Sequence, residues 1–267
     1  MEKMCIGLIV GNRGFFPGHL CVEGKEKISK ILENMGIEII TLNEKEGKFG
    51  TVESWQDAKQ CACLFNKNRD KIDGIIITLP NFGDERSVAD AVRYSQLDVP
   101  VLVHAFPDEI GKMDSSNRRD SFCGKISICN NFYQYGIKFT LPKYHTEDIE
   151  SQDFREDISK FISICRIIKN LKNLRIGAIG TRPDAFKTVR YSEKLLENSG
   201  ISVNTIDLSE ILTKTERIKD NDRKIKEEFD KINNYTCISS VIPEESIIKM
   251  AKFKIVAEDW IKENDLK

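Results

Sequence analysis

Short apolar runs alternate with amphipathic stretches along the chain, and their spacing predicts the elements. MCIGLIV (4–10) is a continuous apolar run ended by Gly11, the pattern of a strand buried on both faces. HLCVEGKEKISKILENMG (19–36) has apolar positions at helical spacing and closes on Gly36, a good residue just past a helix end. The same alternation continues. IEIITL (37–42), DGIIITL (73–79) and VPVLVHAF (99–106) read as strands. VESWQDAKQCACLFNKNRDK (52–71) and DERSVADAVRYSQL (84–97) read as helices. SFCGKISICNNFYQYG (121–136) reads as a helix capped by Asp120 or Ser121 and closed by Gly136. A long amphipathic helix follows over about 153–171.

After that helix the pattern restarts. LRIGAIG (174–180) and ISVNTIDL (201–208) read as strands, with DAFKTVRYSEKLLENSG (184–200) as the helix between them. A charged helix is expected over 211–234, a short strand at YTCISSV (235–241) and a final helix from Pro243. Strand–helix alternation with buried strands means a parallel sheet covered on both faces. The fold expected is α/β: two consecutive Rossmann-like or flavodoxin-like doubly wound domains, 1–170 and 171–267. The second offers two firm strands and one weak one where such domains carry about five, so it reads as incomplete.

Composition narrows the partners. Lys+Arg total 41 against 42 Asp+Glu, a net charge of -1, which argues against a nucleic-acid or anionic-membrane surface. No apolar run reaches the roughly 18 residues of a membrane span. The N-terminus lacks a signal peptide's cleavage pattern. Eight cysteines without C-x-x-C spacing read as reduced cytoplasmic thiols rather than zinc ligands or disulfides.

In an open parallel sheet, ligands bind beyond the carboxyl ends of the strands. The loops there are GNRGFFPGHL (11–20), PNFGDE (80–85) and HAFPDE (104–109). They offer Arg13, Asn12, Asn81, Asp84, Glu85, His104, Asp108 and Glu109 as polar candidates, with Phe15, Phe16, Phe82 and Phe106 as apolar walls. That mixture suits a polyhydroxylated small molecule. Asp84 and Glu85 are equally explained as helix-start carboxylates, and His104 as a hydrogen-bonded core histidine. Arg118 and Arg119 precede a helix start and could hold an anion or lock Asp108 and Asp120. Cys123 stands in the same first turn, but a thiol nucleophile needs a base, and only His104 and His145 are near in sequence. GAIGTRP (177–183) is a loose echo of a dinucleotide loop with its glycines too far apart.

RGFFP (13–17), DGIIITLPNFGDE (73–85), PVLVHAFPDE (100–109), RRDSFCGKISICNN (118–131) and LRIGAIGTRPDAFKTVRYSEKLL (174–196) resemble the L-fucose isomerase and related proteins, a group of L-fucose/L-arabinose isomerase-like sugar isomerases. The resemblance implies a cytoplasmic aldose–ketose isomerase that moves a proton between C1 and C2 through an enediol, aided by a divalent metal, usually manganese. It implies trimers or hexamers in which one subunit's first domain reaches a neighbour's active site. The family's metal ligands lie in segments beyond those matched here, so no metal ligand is assigned. The chain is expected to supply sugar-contacting loops and to be inactive alone. By resemblance, Arg13 and the segment Asn81–Phe82–Gly83 are the matching sugar contacts. A non-catalytic sugar-binding or regulatory module is the alternative.

Overall fold

A computed structural model describes residues 3–220 and 222–267 of the chain. It divides into two compact units, ending and starting at Lys169 and Asn170.

The first unit is a parallel four-stranded sheet. Its strands are β1 (Cys5–Val10), β2 (Glu38–Ile40), β3 (Gly74–Leu79) and β4 (Val101–Ala105). Their order is β2-β1-β3-β4. Three of these strands are buried at every position, as their unbroken apolar runs require. Side chains alternate between the faces. Cys5 and Ile9 of β1 meet one core, with Phe65 and Ile128, while Ile6, Leu8 and Val10 meet the other, with Ile28 and Phe161. The helices sort accordingly. α1 (His19–Asn34) and the later α5 (Gln152–Leu171) cover one face. α2 (Trp55–Lys67), α3 (Glu85–Ser95) and α4 (Ser121–Tyr135) cover the other. Gly7 is the gap in β1 that admits the Phe65 ring: a Cβ there would lie 2.8 Å from it.

Two features of this unit depart from the sequence pattern. β2 has three residues rather than the six of IEIITL. Beyond Ile40 the chain leaves the sheet, and the Lys25 ammonium holds the Leu42 and Gly50 carbonyls of the following segment. Asp120 precedes α4 but does not cap it: it lies in the left-handed region (φ 49°), its side chain accepts no bond from the helix, and Arg118 takes the carboxylate instead.

The second unit pairs β5 (Arg175–Ile179) with β6 (Ser202–Ile206) in parallel. Helices α6 (Glu193–Glu197), α7 (Leu208–Arg217), α8 (Arg223–Tyr235) and α9 (Glu244–Glu263) follow or intervene. Its core is two small clusters, Ile206, Ile211, Val256, Trp260 and Leu266 in one and Ile225, Ala251 and Ile255 in the other. Trp260 lies against Gly177 of β5, where a Cβ would come within 2.7 Å of the indole. Three expectations are corrected here. YTCISSV is not a strand; α8 runs to Tyr235 and an irregular turn follows. Residues 184–200 form one 3-10 turn and the five-residue α6 rather than a single helix. The helix expected over 211–234 is broken between Arg217 and Arg223, where Asp222 caps α8 by accepting from the Lys224 N–H at 2.9 Å; Asn221, within that expected helix, lies outside the described residues.

Candidate functional site

The strand order places a topological switch point between β1 and β3, which leave the sheet in opposite winding directions. Ligands in open α/β sheets sit at the carboxyl ends of such a strand pair. Here those ends carry 11–18 and 80–84.

Arg13 and Phe82 meet across this point. The guanidinium carbon of Arg13 lies 4.7 Å from the Phe82 ring centroid and 5.4 Å from that of Phe15. Phe15, Phe16 and Phe82 form a run, with ring centroids 5.1 and 5.5 Å apart. Arg118 adds a second guanidinium over Phe16, at 5.7 Å. A planar cation stacked on a ring keeps its N–H edge free for acceptors. The patch thus offers hydrogen-bond donors and an apolar face side by side, half-buried except for exposed Phe15 and Arg118.

Beneath the patch lies a polar layer. Asn12 is 1% exposed and Asn81 0%. The Asn81 amide donates to Asn12 Oδ1 at 2.7 Å, and the Asn12 amide donates to Glu53 Oε2 at 2.6 Å. Asn81 Oδ1 accepts from the Gly83 N–H at 3.1 Å. Asn81 is therefore a support of the loop, not a group facing solvent. Glu53 sits just before α2 and carries no motif of its own, so sequence reasoning missed it. Asp84 caps α3, accepting from the Ser87 N–H at 2.8 Å.

His104 does not reach the patch. Its side chain is fully buried on β4, with Nε2 donating to the Glu147 carbonyl at 2.8 Å and Nδ1 therefore accepting from the Thr78 hydroxyl at 2.9 Å. Phe106 and Phe154 enclose the ring edge-on. Burial pushes its pKa down to about 4, so it is neutral at physiological pH. The expectation of a substrate contact is corrected to a core histidine. Nor can it serve as base for Cys123, and the other candidate, His145, lies against Phe122.

Arg119 is committed to the fold. It donates to the Pro80 carbonyl at 2.9 Å and to Glu109 at 3.1 Å. The backbone N–H groups of Arg119 and Asp120 both donate to Asp108 Oδ1. With Arg118 paired to Asp120, both arginines lock carboxylates, and Arg118 reaches the patch only by its stacking on Phe16.

Two buried ionisable groups behind β4 carry no local signature. Lys125 of α4 donates to the His145 carbonyl at 2.8 Å. Glu147 is 4% exposed and neither carboxyl oxygen has a hydrogen-bond partner. Desolvation, then Asp157 and Asp153, push its pKa up to about 7.

The thiols divide by exposure. Cys63, Cys123 and Cys237 are exposed, whereas Cys5, Cys21, Cys61 and Cys165 are buried. Desolvation pushes Cys5 up to about 11 and the other three buried thiols to about 12. A disulfide-exchange reagent at neutral pH is expected to titrate those three exposed thiols rapidly, Cys129 more slowly, and the other four only in denaturant. Fast reaction of Cys21 in the folded protein would contradict the packing.

Among the described residues no three His, Cys, Asp or Glu side chains converge so as to hold a metal ion. In the second unit, β5 is followed by an irregular segment, so the helix N-terminus that a dinucleotide pyrophosphate needs is missing after GAIG. A cavity of about 690 Å³ between α7 and α9 is lined by Leu212, Thr215, Ile248 and Phe253, and four of its rim charges form ion pairs, Lys252 with Asp220 and Lys249 with Glu245. No helix among the described residues is long and apolar enough to cross a membrane.

A family model described as fucose/sulfoquinovose isomerase, N-terminal domain, matches residues 7–172. No curated protein matches the chain.

Proposed function

The chain belongs to the fucose/sulfoquinovose isomerase family through its N-terminal domain, and from that premise we propose that its β1 and β3 loops supply the sugar contacts of a metal-dependent aldose–ketose isomerase. The observation that carries this reading is the stacking of Arg13 on Phe82 at the switch point of the sheet. Arg13 presents N–H donors to sugar hydroxyls, and Phe82 with Phe15 covers the C–H face of the carbon chain. The reaction proposed is transfer of a proton between C1 and C2 through an enediol. The part proposed for this chain is contact and positioning, with the divalent metal of the proposed reaction held by residues outside this patch. We place the contact in a homo-oligomer, trimer or hexamer, in which the patch completes a neighbour's site. The exposed stripe of Phe122, Ile126 and Tyr133 on α4 supports association.

The test combines affinity and turnover. The purified chain, titrated calorimetrically with L-fucose and with sulfoquinovose, is expected to bind one of them. Arg13→Ala should weaken that binding about tenfold or more, the value of a hydrogen bond from a charged donor. Turnover of either sugar by this chain alone would contradict the division of labour. Binding unaffected by Arg13→Ala would remove the contact proposed.

A further inference from the structure

We infer that Asn12 is a positioning residue: its buried carboxamide sets the separation of the β1 and β3 loops and thereby the stacking of Arg13 on Phe82. The inference rests on the reading of that stack as the sugar contact. Arg13 and Phe82 each directly follow one member of the Asn12–Asn81 pair in the chain. The 2.7 Å bond between those two side chains therefore joins the two loops one residue behind the stack.

The bonds around Asn12 leave little freedom. Its backbone N–H donates to the Val52 carbonyl at 3.1 Å, and its carbonyl accepts from the Asp84 N–H at 2.8 Å. Its side-chain oxygen accepts from Asn81 and from the Cys21 thiol at 3.4 Å. Its side-chain nitrogen donates to Glu53. A carboxylate only accepts, so Glu53 fixes which way the carboxamide points, and hence that Oδ1 faces Asn81. Asn81 passes the constraint on: it donates to the Pro17 carbonyl at 3.4 Å and accepts from Gly83, whose φ of +72° turns the chain beneath the Phe82 ring. Three loops are joined through one buried amide. Apolar replacement would remove the acceptor that the buried Asn81 amide and Cys21 thiol share and the donor that the part-buried Glu53 carboxylate takes.

Asn12→Asp tests this, because it keeps the shape while placing a carboxylate against Glu53. The readout is the NMR signal of the Arg13 Hε and Hδ protons, in which the Phe82 part of the upfield ring-current shift, the difference from Phe82→Leu, persists only while the stack holds. Asn12→Asp is expected to lose that shift and to lower sugar affinity about as much as Arg13→Ala, about tenfold. Adding Glu53→Gln to Asn12→Asp restores a donor and an acceptor with their roles exchanged, and should return both signals to wild type. A folded Asn12→Asp protein that keeps the Arg13 shift overturns the inference. If the single variant does not fold, the double variant decides: a folded double variant with an unstacked Arg13 overturns it, and a restored shift supports it. The Arg13 signal needs no ligand, so wild-type protein that binds no sugar defeats the functional reading while leaving the positioning result readable.

Discussion

Gly124→Ala is expected to destabilise the first unit by about 3 kcal/mol or more, at or beyond the upper end of overpacking costs. A Cβ on Gly124 would lie 1.6 Å from the Phe82 carbonyl oxygen and 2.6 Å from its carbon. The obstacle is backbone, so no side-chain rotation relieves it. Either the first turn of α4 lifts from the β3 loop, or the loop shifts and carries Phe82 away from Arg13. Both routes couple stability to the site, so the variant should also lose the Arg13 ring-current shift. Urea unfolding measures the stability term. Cys123→Ala, one residue earlier and exposed, should change it by no more than about 0.5 kcal/mol. A Gly124→Ala protein of unchanged stability would mean that α4 does not rest on the loop. This contact explains the glycine in SFCGKISICNN: at Gly124 the stretch lies directly against the Phe82 backbone.

Glu147→Gln is expected to reshape the pH dependence of stability by a similar amount. The folded pKa of Glu147 is raised to about 7 from an ordinary 4.5. Between those values the folded state holds a proton that the unfolded state releases. Stability from this group is therefore complete below about 4.5, falls as pH rises towards 7, and is flat above. The difference corresponds to about 3 kcal/mol. His104 acts in the opposite direction. Its folded pKa lies near 4 against 6.5, so between those values only the unfolded state binds the proton. Its contribution is complete above 6.5 and is lost as pH falls towards 4. The two residues are joined through the Glu147 carbonyl, and their windows nearly coincide, so their effects largely offset each other in the wild type. Lys125 on α4, Asp153 and Asp157 on α5, and Lys143 and Asp148 on the intervening segment are the charged groups acting on this pair. Glu147→Gln should leave the contribution of His104 unchanged, giving stability that climbs steeply from pH 4 to 6.5. Relative to wild type, the variant should gain about 3 kcal/mol between pH 4.5 and pH 8. Parallel stability curves for the two proteins would show that Glu147 is not buried as a carboxylic acid.

The first sheet was legible because strands buried on both faces leave unbroken apolar runs, and MCIGLIV, DGIIITL and VPVLVHAF have no helical alternative of sufficient length. LRIGAIG has the same pattern, yet Ile176 and Ile179 of β5 are more than a third exposed. A local run records that a strand can be buried and says nothing about which partners cover it. The 184–200 segment fails for the same reason. Phe186, Val189, Tyr191 and Leu195 are exposed, and apolar spacing without a surface to pack on yields only the short α6. The break before α8 did have a signal, the cluster Lys219–Asp220–Asn221–Asp222 ahead of a charged run, with Asp222 a good capping residue. Arg13 and Phe82 could be singled out because a loop after a parallel strand is a place for ligands. Asn12–Glu53, Glu53–Ser87 and Lys125–His145 contacts could not, since residues far apart in sequence meet only once the fold exists. His104 illustrates the ambiguity: at the end of an apolar strand, a ligand contact and a core histidine have the same local sequence.

The central claim is that the Arg13–Phe82 patch touches sugar. Its most direct test is an NMR titration of isotope-labelled protein with L-fucose and, separately, sulfoquinovose. The account predicts saturable shifts confined to residues 13–16 and 81–84 with at least one of the two, and their loss in Arg13→Ala. The absence of saturable shifts with both sugars, or shifts elsewhere that persist in Arg13→Ala, would contradict it.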